Sequence, residues 1–164
     1  MFLFAMLLAA SAVPVKQPWV ELQAGPAILH EAGRAGVGSG PLVRVDLGYE
    51  MTERFAAEVW LSGAMQSAPL HAPGDSAIVG GGLAGRYLLK TFDDRGRVGL
   101  WAHGGLGWSA LAAGQGAPGP TEFAGAILTF QPFVQKFQVG LEADAVAFRK
   151  TIGAALLPAL RCTF

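Results

Sequence analysis

Apolar and polar residues alternate with a period of two along most of the chain after residue 16. The clearest stretch runs from Pro41 to Met51, where every odd position is apolar. Its polar face carries Arg44, Asp46, Gly48 and Glu50. This alternation predicts a β-strand with one apolar and one polar face. An average strand of a soluble domain has about five or six residues, whereas a strand that crosses a bilayer needs about nine to eleven. The length of this stretch therefore favours a membrane-spanning strand.

The same alternation recurs along the chain and predicts about eight strands. Single-chain bacterial outer-membrane barrels have an even number of strands, so this count fits them. The predicted strands are Trp19–Ile28, Pro41–Met51, Phe55–Met65, Ile78–Lys90, Arg97–Ala110, Glu122–Phe133, Phe137–Phe148 and Ala154–Phe164. The segment from Glu122 to Phe133 has two largely apolar faces. Its phase, meaning which of the two faces points into the barrel, therefore stays open. The pattern predicts an all-β fold, a membrane-spanning antiparallel up-and-down β-barrel.

The predicted connections alternate between long and short. The long ones are 30–40, 66–76 and 111–120, and the short ones are 52–54, 92–96 and 132–136. Only the last outer connection, at 149–153, departs from this rule. Long outer loops and short inner turns are typical of outer-membrane barrels. Aromatic residues cluster near the short turns, as expected of side chains at a membrane–water boundary. They are Tyr49, Phe55, Tyr87, Phe92, Phe130, Phe133, Phe137 and Phe164.

Composition supports a membrane protein without membrane helices. Charged residues make up 15% of the chain, against roughly 25% in soluble domains, and the mean hydropathy is +0.40. After the N-terminal segment, no apolar run reaches the length of about 18 residues that a membrane helix needs. The formal net charge is +0, so nothing indicates a nucleic-acid partner. Strands with one lipid-facing side account for an apolar chain of this kind.

The N-terminal residues predict export. An apolar run from Phe2 to Ala10 is followed by Ala10-Ser11-Ala12, whose small residues fit signal-peptidase cleavage after Ala12. We therefore expect a signal peptide over residues 1–12 and a barrel domain over residues 17–164. The competing interpretation is a buried N-terminal strand or helix.

The C-terminal residues carry a family resemblance. The chain ends Leu160-Arg161-Cys162-Thr163-Phe164, with Leu160, Cys162 and Phe164 on one face. This segment resembles the signal read by the outer-membrane barrel assembly machinery, although Cys162 departs from the usual aromatic or aliphatic residue. The pattern of residues 17–164 resembles the small bacterial outer-membrane barrels related to outer membrane proteins A and X.

The resemblance implies a cellular location and a set of partners for the chain. They are a location in the outer membrane of a Gram-negative bacterium, contact with outer-membrane lipid and lipopolysaccharide, and the assembly machinery as a partner during biogenesis. A protein partner in the envelope is a further expectation.

The polar face predicts a filled barrel interior. An interior of about eight strands is just wide enough for side chains to fill it. Charges of both signs there favour a network of ion pairs over a pore. The charges expected in the lumen are Arg44, Asp46, Glu50, Glu58, Arg86, Lys90, His103, Glu142, Asp144 and Arg161. Glycines at 80–82, 104, 105 and 107 are expected to make room for Trp60 and Trp101 or to let strands bend.

No catalytic, cofactor-binding or metal site is predicted. His103-Gly104-Gly105 resembles the oxyanion-hole segment of lipases and esterases, but the chain has no G-x-S-x-G nucleophile motif. Gly36–Gly40 lacks the helix of a phosphate-binding loop. The three histidines are scattered and have no metal-ligand spacing. The favoured hypothesis is a non-enzymatic barrel with a role in envelope structure, adhesion or a larger envelope complex.

Two alternatives stay open. His30 in the first outer loop and Asp75-Ser76 in the second are similar to loop residues of lipid A palmitoyltransferases, which would make the chain a lipid A-modifying enzyme. A soluble exported barrel of the lipocalin type would instead place the apolar face inside around a ligand. The small number of charged residues fits that class poorly.

Overall fold

The computed structural model describes residues 17–31, 37–66, 76–111, 118–132, 136–148 and 151–164. These residues form one closed barrel of eight antiparallel strands, each paired with its neighbours in sequence, and β1 pairs with β8. The strands are β1 (Pro18–Glu31), β2 (Gly38–Thr52), β3 (Phe55–Gln66), β4 (Ser76–Thr91), β5 (Val98–Leu111), β6 (Gly119–Phe130), β7 (Phe137–Phe148) and β8 (Thr151–Thr163). The predicted fold class is confirmed.

The predicted strand positions agree with the structure to within a few residues. The predicted sixth strand is too long at its C-terminal end, because β6 ends at Phe130 and Phe133 lies outside the described residues. The connection from β2 to β3 consists of residues 53–54, and that from β4 to β5 of residues 92–97. In the turn between β4 and β5, Gly96 N–H donates to Asp93 O at 3.0 Å. Gly96 has a φ of 66°, a left-handed conformation that glycine adopts at no steric cost.

Apolar side chains cover the exterior of the barrel, and most charged side chains of the strands lie inside. Leu83 is 69% exposed and Leu106 is 68% exposed on the outer face, whereas Arg86 and His103 on the same strands are buried. This is the opposite of a lipocalin-type barrel, which needs a polar exterior in water. Among the described residues, no helix is long and apolar enough to cross a membrane.

The structure also settles the phase of β6. Phe123, Ile127 and Thr129 face the interior and are buried, whereas Leu128 and Phe130 are exposed. The sequence left this phase open because two of the inward positions are themselves apolar.

The prediction that Lys90 faces the lumen is wrong. The pairing of β4 with β5 shifts between Leu88 and Lys90, so that Leu88 pairs with Trp101 and Lys90 pairs with the adjacent Leu100. A β-bulge adds one residue to one strand and so reverses the direction of the side chains that follow. Lys90 is therefore exposed, and its Nζ lies 5.2 Å from the centre of the Phe92 ring.

The aromatic residues predicted near the short turns are mostly exposed on the outer face. They are Tyr49, Phe55, Tyr87, Phe92, Phe130, Phe137 and Phe164, each at least 40% exposed. At the opposite end, Phe148 is buried in the lumen, while Trp108 is exposed. Rings on the outer face at one end of a barrel are suited to a membrane–water boundary.

Candidate functional site

The interior of the barrel contains a cluster of ten polar side chains, here called the ionic layer. Each occupies an inward position of the two-residue repeat of its strand, and none is more than 4% exposed. The members are Glu21, Gln23, Arg44, Asp46, Glu58, Arg86, His103, Glu142, Asp144 and Arg161. Seven of the eight strands contribute, all except β6. The layer therefore joins side chains that are far apart in the sequence.

One half of the layer is organised around Glu21. Arg86 donates to both oxygens of Glu21, at 3.2 and 3.1 Å, and also contacts Glu58 through Nε and through Nη2 at 3.1 Å. Arg161 Nε donates to Glu21 Oε2 at 2.9 Å. Glu21 and Arg161 are direct partners across the β1–β8 pairing. This contact therefore ties together the two strands that close the barrel.

The other half is organised around Arg44. Its Nη1 donates to Asp144 Oδ2 at 2.8 Å, and its Nη2 donates to Gln23 Oε1 at 2.6 Å and to Glu142 Oε1. Gln23 Nε2 in turn lies 2.6 Å from Glu21 Oε1 and 2.8 Å from Glu142 Oε2, donating to both. Gln23 thus joins the two halves of the layer.

His103 also joins the two halves. Its Nδ1 lies 2.7 Å from Glu142 Oε1, and its Nε2 lies 3.0 Å from Glu58 Oε2. Both ring nitrogens therefore face a carboxylate. Removing one member of such a buried network leaves its partners charged and unpaired, which costs more than the net worth of the pair.

Aromatic rings pack against the cations of the layer. The Trp19 ring centre lies 4.6 Å from the Arg86 guanidinium carbon and 4.0 Å from that of Arg161. The Phe123 ring centre lies 4.2 Å from the guanidinium carbon of Arg44. The Phe123 and His103 rings are 4.9 Å apart between centroids, at an interplanar angle of 71°. Cations over ring faces are attracted by the ring quadrupole, and more strongly when water is excluded.

The structure places most of the predicted lumen charges in the ionic layer. Arg44, Asp46, Glu58, Arg86, His103, Glu142, Asp144 and Arg161 are buried there, and Glu50 faces inward but is half-buried. Glu21 and Gln23 were absent from the predicted set of lumen residues, although Glu21 accepts hydrogen bonds from both Arg86 and Arg161. The alternation of β1 indicates that both Glu21 and Gln23 face the lumen, because Val20 and Leu22 lie on the other face.

Three groups of the layer have a spacing that suits a metal. One ligand atom from each of His103, Glu142 and Asp144 lies within 4.8 Å of the others. However, the Arg44 guanidinium already contacts Glu142 and Asp144. A fixed cation therefore lies where a metal would bind, and the three groups do not form a metal centre.

Two glycines make room for large side chains in the lumen. A Cβ at Gly107 would lie 2.7 Å from Trp60 Cζ2, and a Cβ at Gly105 would lie 2.5 Å from Phe123 Cε1. Trp101 lies instead against Gly99, whose Cβ would be 3.0 Å from the indole nitrogen. The predicted link between the glycine-rich segments and Trp60 fits the position of Gly107. The nearest atoms to the glycines at 80–82, 104, 105 and 107 do not belong to Trp101.

The remaining sequence candidates lie on the outer surface or outside the described residues. Leu160 and Phe164 are 50% and 68% exposed on the outer face, and Cys162 is half-buried there. His30 is exposed at the end of β1 and pairs with Ile152. Asp75 and the side chain of Ser76 are outside the described residues.

No protein-family model matches the chain, and comparison with curated proteins finds no match. Solved structures do match. Neisserial surface protein A (NspA) is 15% identical with a TM-score of 0.68, covering 90% of this chain and 97% of that one. Ail, the attachment invasion locus protein of Yersinia pestis, is 11% identical with a TM-score of 0.59, covering 91% and 99%.

The N-terminal β-barrel domain of Pseudomonas aeruginosa OprF is 17% identical with a TM-score of 0.55, covering 91% of this chain and 99% of that one. At these identities the likeness concerns the fold. The chain has the fold of the small outer-membrane barrels with eight strands, as its sequence resemblance predicted.

Proposed function

We propose that this chain is a small outer-membrane barrel with a plugged polar interior that serves the envelope without catalysing a reaction. The observation that carries the proposal is the sidedness of the barrel: an apolar exterior surrounds a buried ionic layer. An apolar exterior of this kind is stable in lipid and is a liability in water.

The plugged interior is the second part of the proposal. Arg44, Arg86 and Arg161 extend into the lumen from three different strands, and each is held by carboxylates. Trp19, Trp60 and Ile127, each at most 1% exposed, fill further space in the same lumen. In a barrel of only eight strands, buried side chains of this size support a filled lumen over an aqueous channel.

The envelope role belongs to the same proposal. Among the structures with this fold, NspA is named as a surface protein and Ail as an attachment protein. Ail has also been crystallised with the heparin analogue sucrose octasulfate. Structure, adhesion or membership of an envelope complex are the roles that fit a barrel without a channel. Lipid A modification is the alternative.

Membrane fractionation of cells, followed by gel electrophoresis of unheated and heated samples, tests the location. We expect the chain in the outer-membrane fraction and a mobility that changes on heating, because a folded barrel resists detergent until it is heated. Recovery in the soluble periplasm would contradict the proposal.

Conductance across planar lipid bilayers tests the plug. We expect no steady channel from the wild type. Arg86→Ala removes a side chain that reaches from β4 to Glu21 on β1. The refolded variant should conduct more than the wild type, and so it shows that the assay detects an opened lumen. Stable channels in the wild type would show that the lumen is open, and lipid A mass spectra that differ with and without the protein would favour the enzyme.

A further inference from the structure

The pairing of β1 with β8, which closes the barrel, is interrupted in its middle. Paired residues end at Gln23 and Ala159 and resume at Ala27 and Ala155 in the same register, so a bulge is not the cause. The segments between them, which form no pairs with each other, are 24–26 and 156–158. Among the described residues, the other seven strand pairings have no gap of this length.

A backbone hydrogen bond near the lower end of the two strands shows which residues direct their N–H groups across the interruption. Phe164 N–H donates to Pro18 O at 3.1 Å. In an antiparallel pairing, hydrogen-bonded pairs of this kind recur at every second residue. Continued along the register of β1 and β8, they fall on residue 24 with residue 158 and on residue 26 with residue 156.

Each of these two pairs contains a proline, Pro158 in the first and Pro26 in the second. Proline has no backbone N–H group, so each pair loses one of its two hydrogen bonds. The carbonyl groups that lose a donor are those of Ala24 and Leu156. Proline within a sheet is confined mainly to edge strands and bulges. The two prolines therefore account for the interruption, and β1 and β8 resemble two sheet edges at this point.

The two sides of the interruption are held by different contacts. Below it, towards the short turns, Arg161 Nε donates to Glu21 Oε2 at 2.9 Å within the ionic layer. Above it, the facing lumen residues are small or apolar, as in Leu29 opposite Gly153. The lower part of the pairing is therefore fixed by a buried ion pair, whereas the upper part depends on backbone hydrogen bonds and apolar contacts.

We propose that the upper part of the β1–β8 pairing, residues 27–31 with 151–155, is a lateral gate that opens towards the lipid. The wall beside it is apolar on both faces, because Pro26 and Leu156 are exposed on the outside and Leu157 is buried in the lumen. An opening with these surfaces suits the acyl chain of a membrane lipid rather than an ion. The gate goes beyond the proposed function and needs from it only a closed barrel in a membrane.

Hydrogen exchange of single amides, measured by NMR on the barrel refolded in detergent, tests the gate. Glu50 N–H donates to Gln17 O at 3.4 Å, so odd-numbered residues of β1 share hydrogen bonds with β2 and even-numbered ones with β8. The Ala27 amide therefore faces β2, and the adjacent Ile28 amide faces the gate. In the wild type we expect Ile28 to exchange about tenfold faster than Ala27, because two hydrogen bonds are missing beside it. Fraying of the whole strand would expose both amides equally.

Restoring the missing donors should close the gate. Pro26→Ala combined with Pro158→Ala returns one N–H group to each strand and should slow the exchange of Ile28 about tenfold. Pro41→Ala is the matched control, because Pro41 lies opposite Pro26 on β2 and its replacement adds no donor to the β1–β8 pairing. The heat-dependent gel shift, checked first on every sample, distinguishes a barrel that has not closed from a closed barrel without a gate.

The passage of an acyl chain is tested in lipid vesicles. Ala155→Cys in a Cys162→Ala background places a single thiol on the lumen side of the gate, where Ala155 is 6% exposed. A maleimide carried on a lipid acyl chain should label this thiol, and the two proline replacements should slow the labelling about tenfold. Equal exchange of Ala27 and Ile28 in the wild type, an unchanged Ile28 rate without the prolines, or no labelling by the lipid-borne maleimide would overturn the proposal.

Discussion

The two halves of the lumen are filled by different kinds of side chain. Towards the short turns lies the ionic layer, where most members have two or more partners and directional contacts. Towards the long connections lies a cluster of Ala27, Ala155 and Leu157, against which Leu42 and Val146 pack. Glycines and alanines line the facing parts of β4 and β5. Truncating a side chain of the ionic layer leaves its partners charged, whereas truncating one in the apolar cluster leaves only a space.

The largest effect is expected at Arg86. Arg86→Leu keeps apolar volume but leaves Glu21 and Glu58 without their main cation, and the loss of one partner of a buried pair costs about 3–5 kcal/mol. Urea unfolding of the refolded protein, followed by gel mobility, measures it. Arg97→Leu breaks a part-exposed ion pair with Asp93 (3.4 Å) and should cost about 1 kcal/mol or less. Equal losses in the two variants would show that the ionic layer does not stabilise the barrel by its charges.

The apolar cluster should respond next. Leu157 is 0% exposed in the lumen, and Leu156 beside it is 47% exposed on the outer face. Leu157→Ala leaves a cavity and should cost about 2–5 kcal/mol of unfolding free energy. Leu156→Ala is the matched control, because it removes the same atoms from a side where detergent or lipid can take their place. A larger loss in Leu156→Ala would mean that lipid-side contacts, rather than lumen packing, stabilise β8.

Two lumen glycines, Gly105 and Gly107, differ in the kind of atom that an added side chain would meet. At Gly105 the nearest atoms to an added Cβ belong to side chains, those of Phe123 and Ala84, whereas at Gly107 they include the Gly81 backbone carbonyl. Both Gly→Ala changes should cost about 1–3 kcal/mol by overpacking. Phe123→Leu should restore part of the loss at Gly105, since the ring is what the Cβ meets.

Replacing Trp60 tests Gly107 in the same way as replacing Phe123 tests Gly105. Trp60→Leu should restore little at Gly107, because the backbone carbonyl remains in place. The control is Gly63→Ala, whose Cβ would meet no atom within 4 Å. Urea midpoints of the single and double variants check these changes. Restoration of both glycine variants to the same degree would contradict the distinction between side-chain and backbone contacts.

The strands and their two faces could be predicted from the sequence, because alternation is a local property. The inward positions of Arg44, Glu142 and Asp144 follow from their own strands alone. Their pairing does not, since Arg44 and Asp144 are 100 residues apart in the sequence. Which cation meets which carboxylate depends on the register of all the strands between them.

The direction of the Lys90 side chain and the central role of Glu21 could not be predicted from the sequence, for different physical reasons. The bulge before Lys90 changes the direction of that side chain, yet no glycine or proline marks it in Leu88-Leu89-Lys90. The importance of Glu21 depends on closure of the barrel, because it meets Arg161 only when β1 pairs with β8. Local patterns do not carry either kind of information.

The smallest expected effect lies outside both halves of the lumen, in the turn between β4 and β5. Val98 N–H donates to Asp93 Oδ1 at 2.9 Å, and this hydrogen bond, together with contacts from Arg97, holds the pKa of Asp93 below its ordinary value. A carboxyl group whose pKa is lower in the folded state stabilises the fold above its unfolded pKa. That contribution is lost as the pH falls through the folded pKa, below about 4. Asp93→Asn should therefore be slightly less stable than the wild type at neutral pH, and the difference in unfolding free energy should vanish towards low pH.

Asp94→Asn leaves the Val98 hydrogen bond intact and serves as the control. A difference that grows as the pH falls would show that the carboxyl group is better stabilised when protonated, which is the opposite sign to the one this geometry gives.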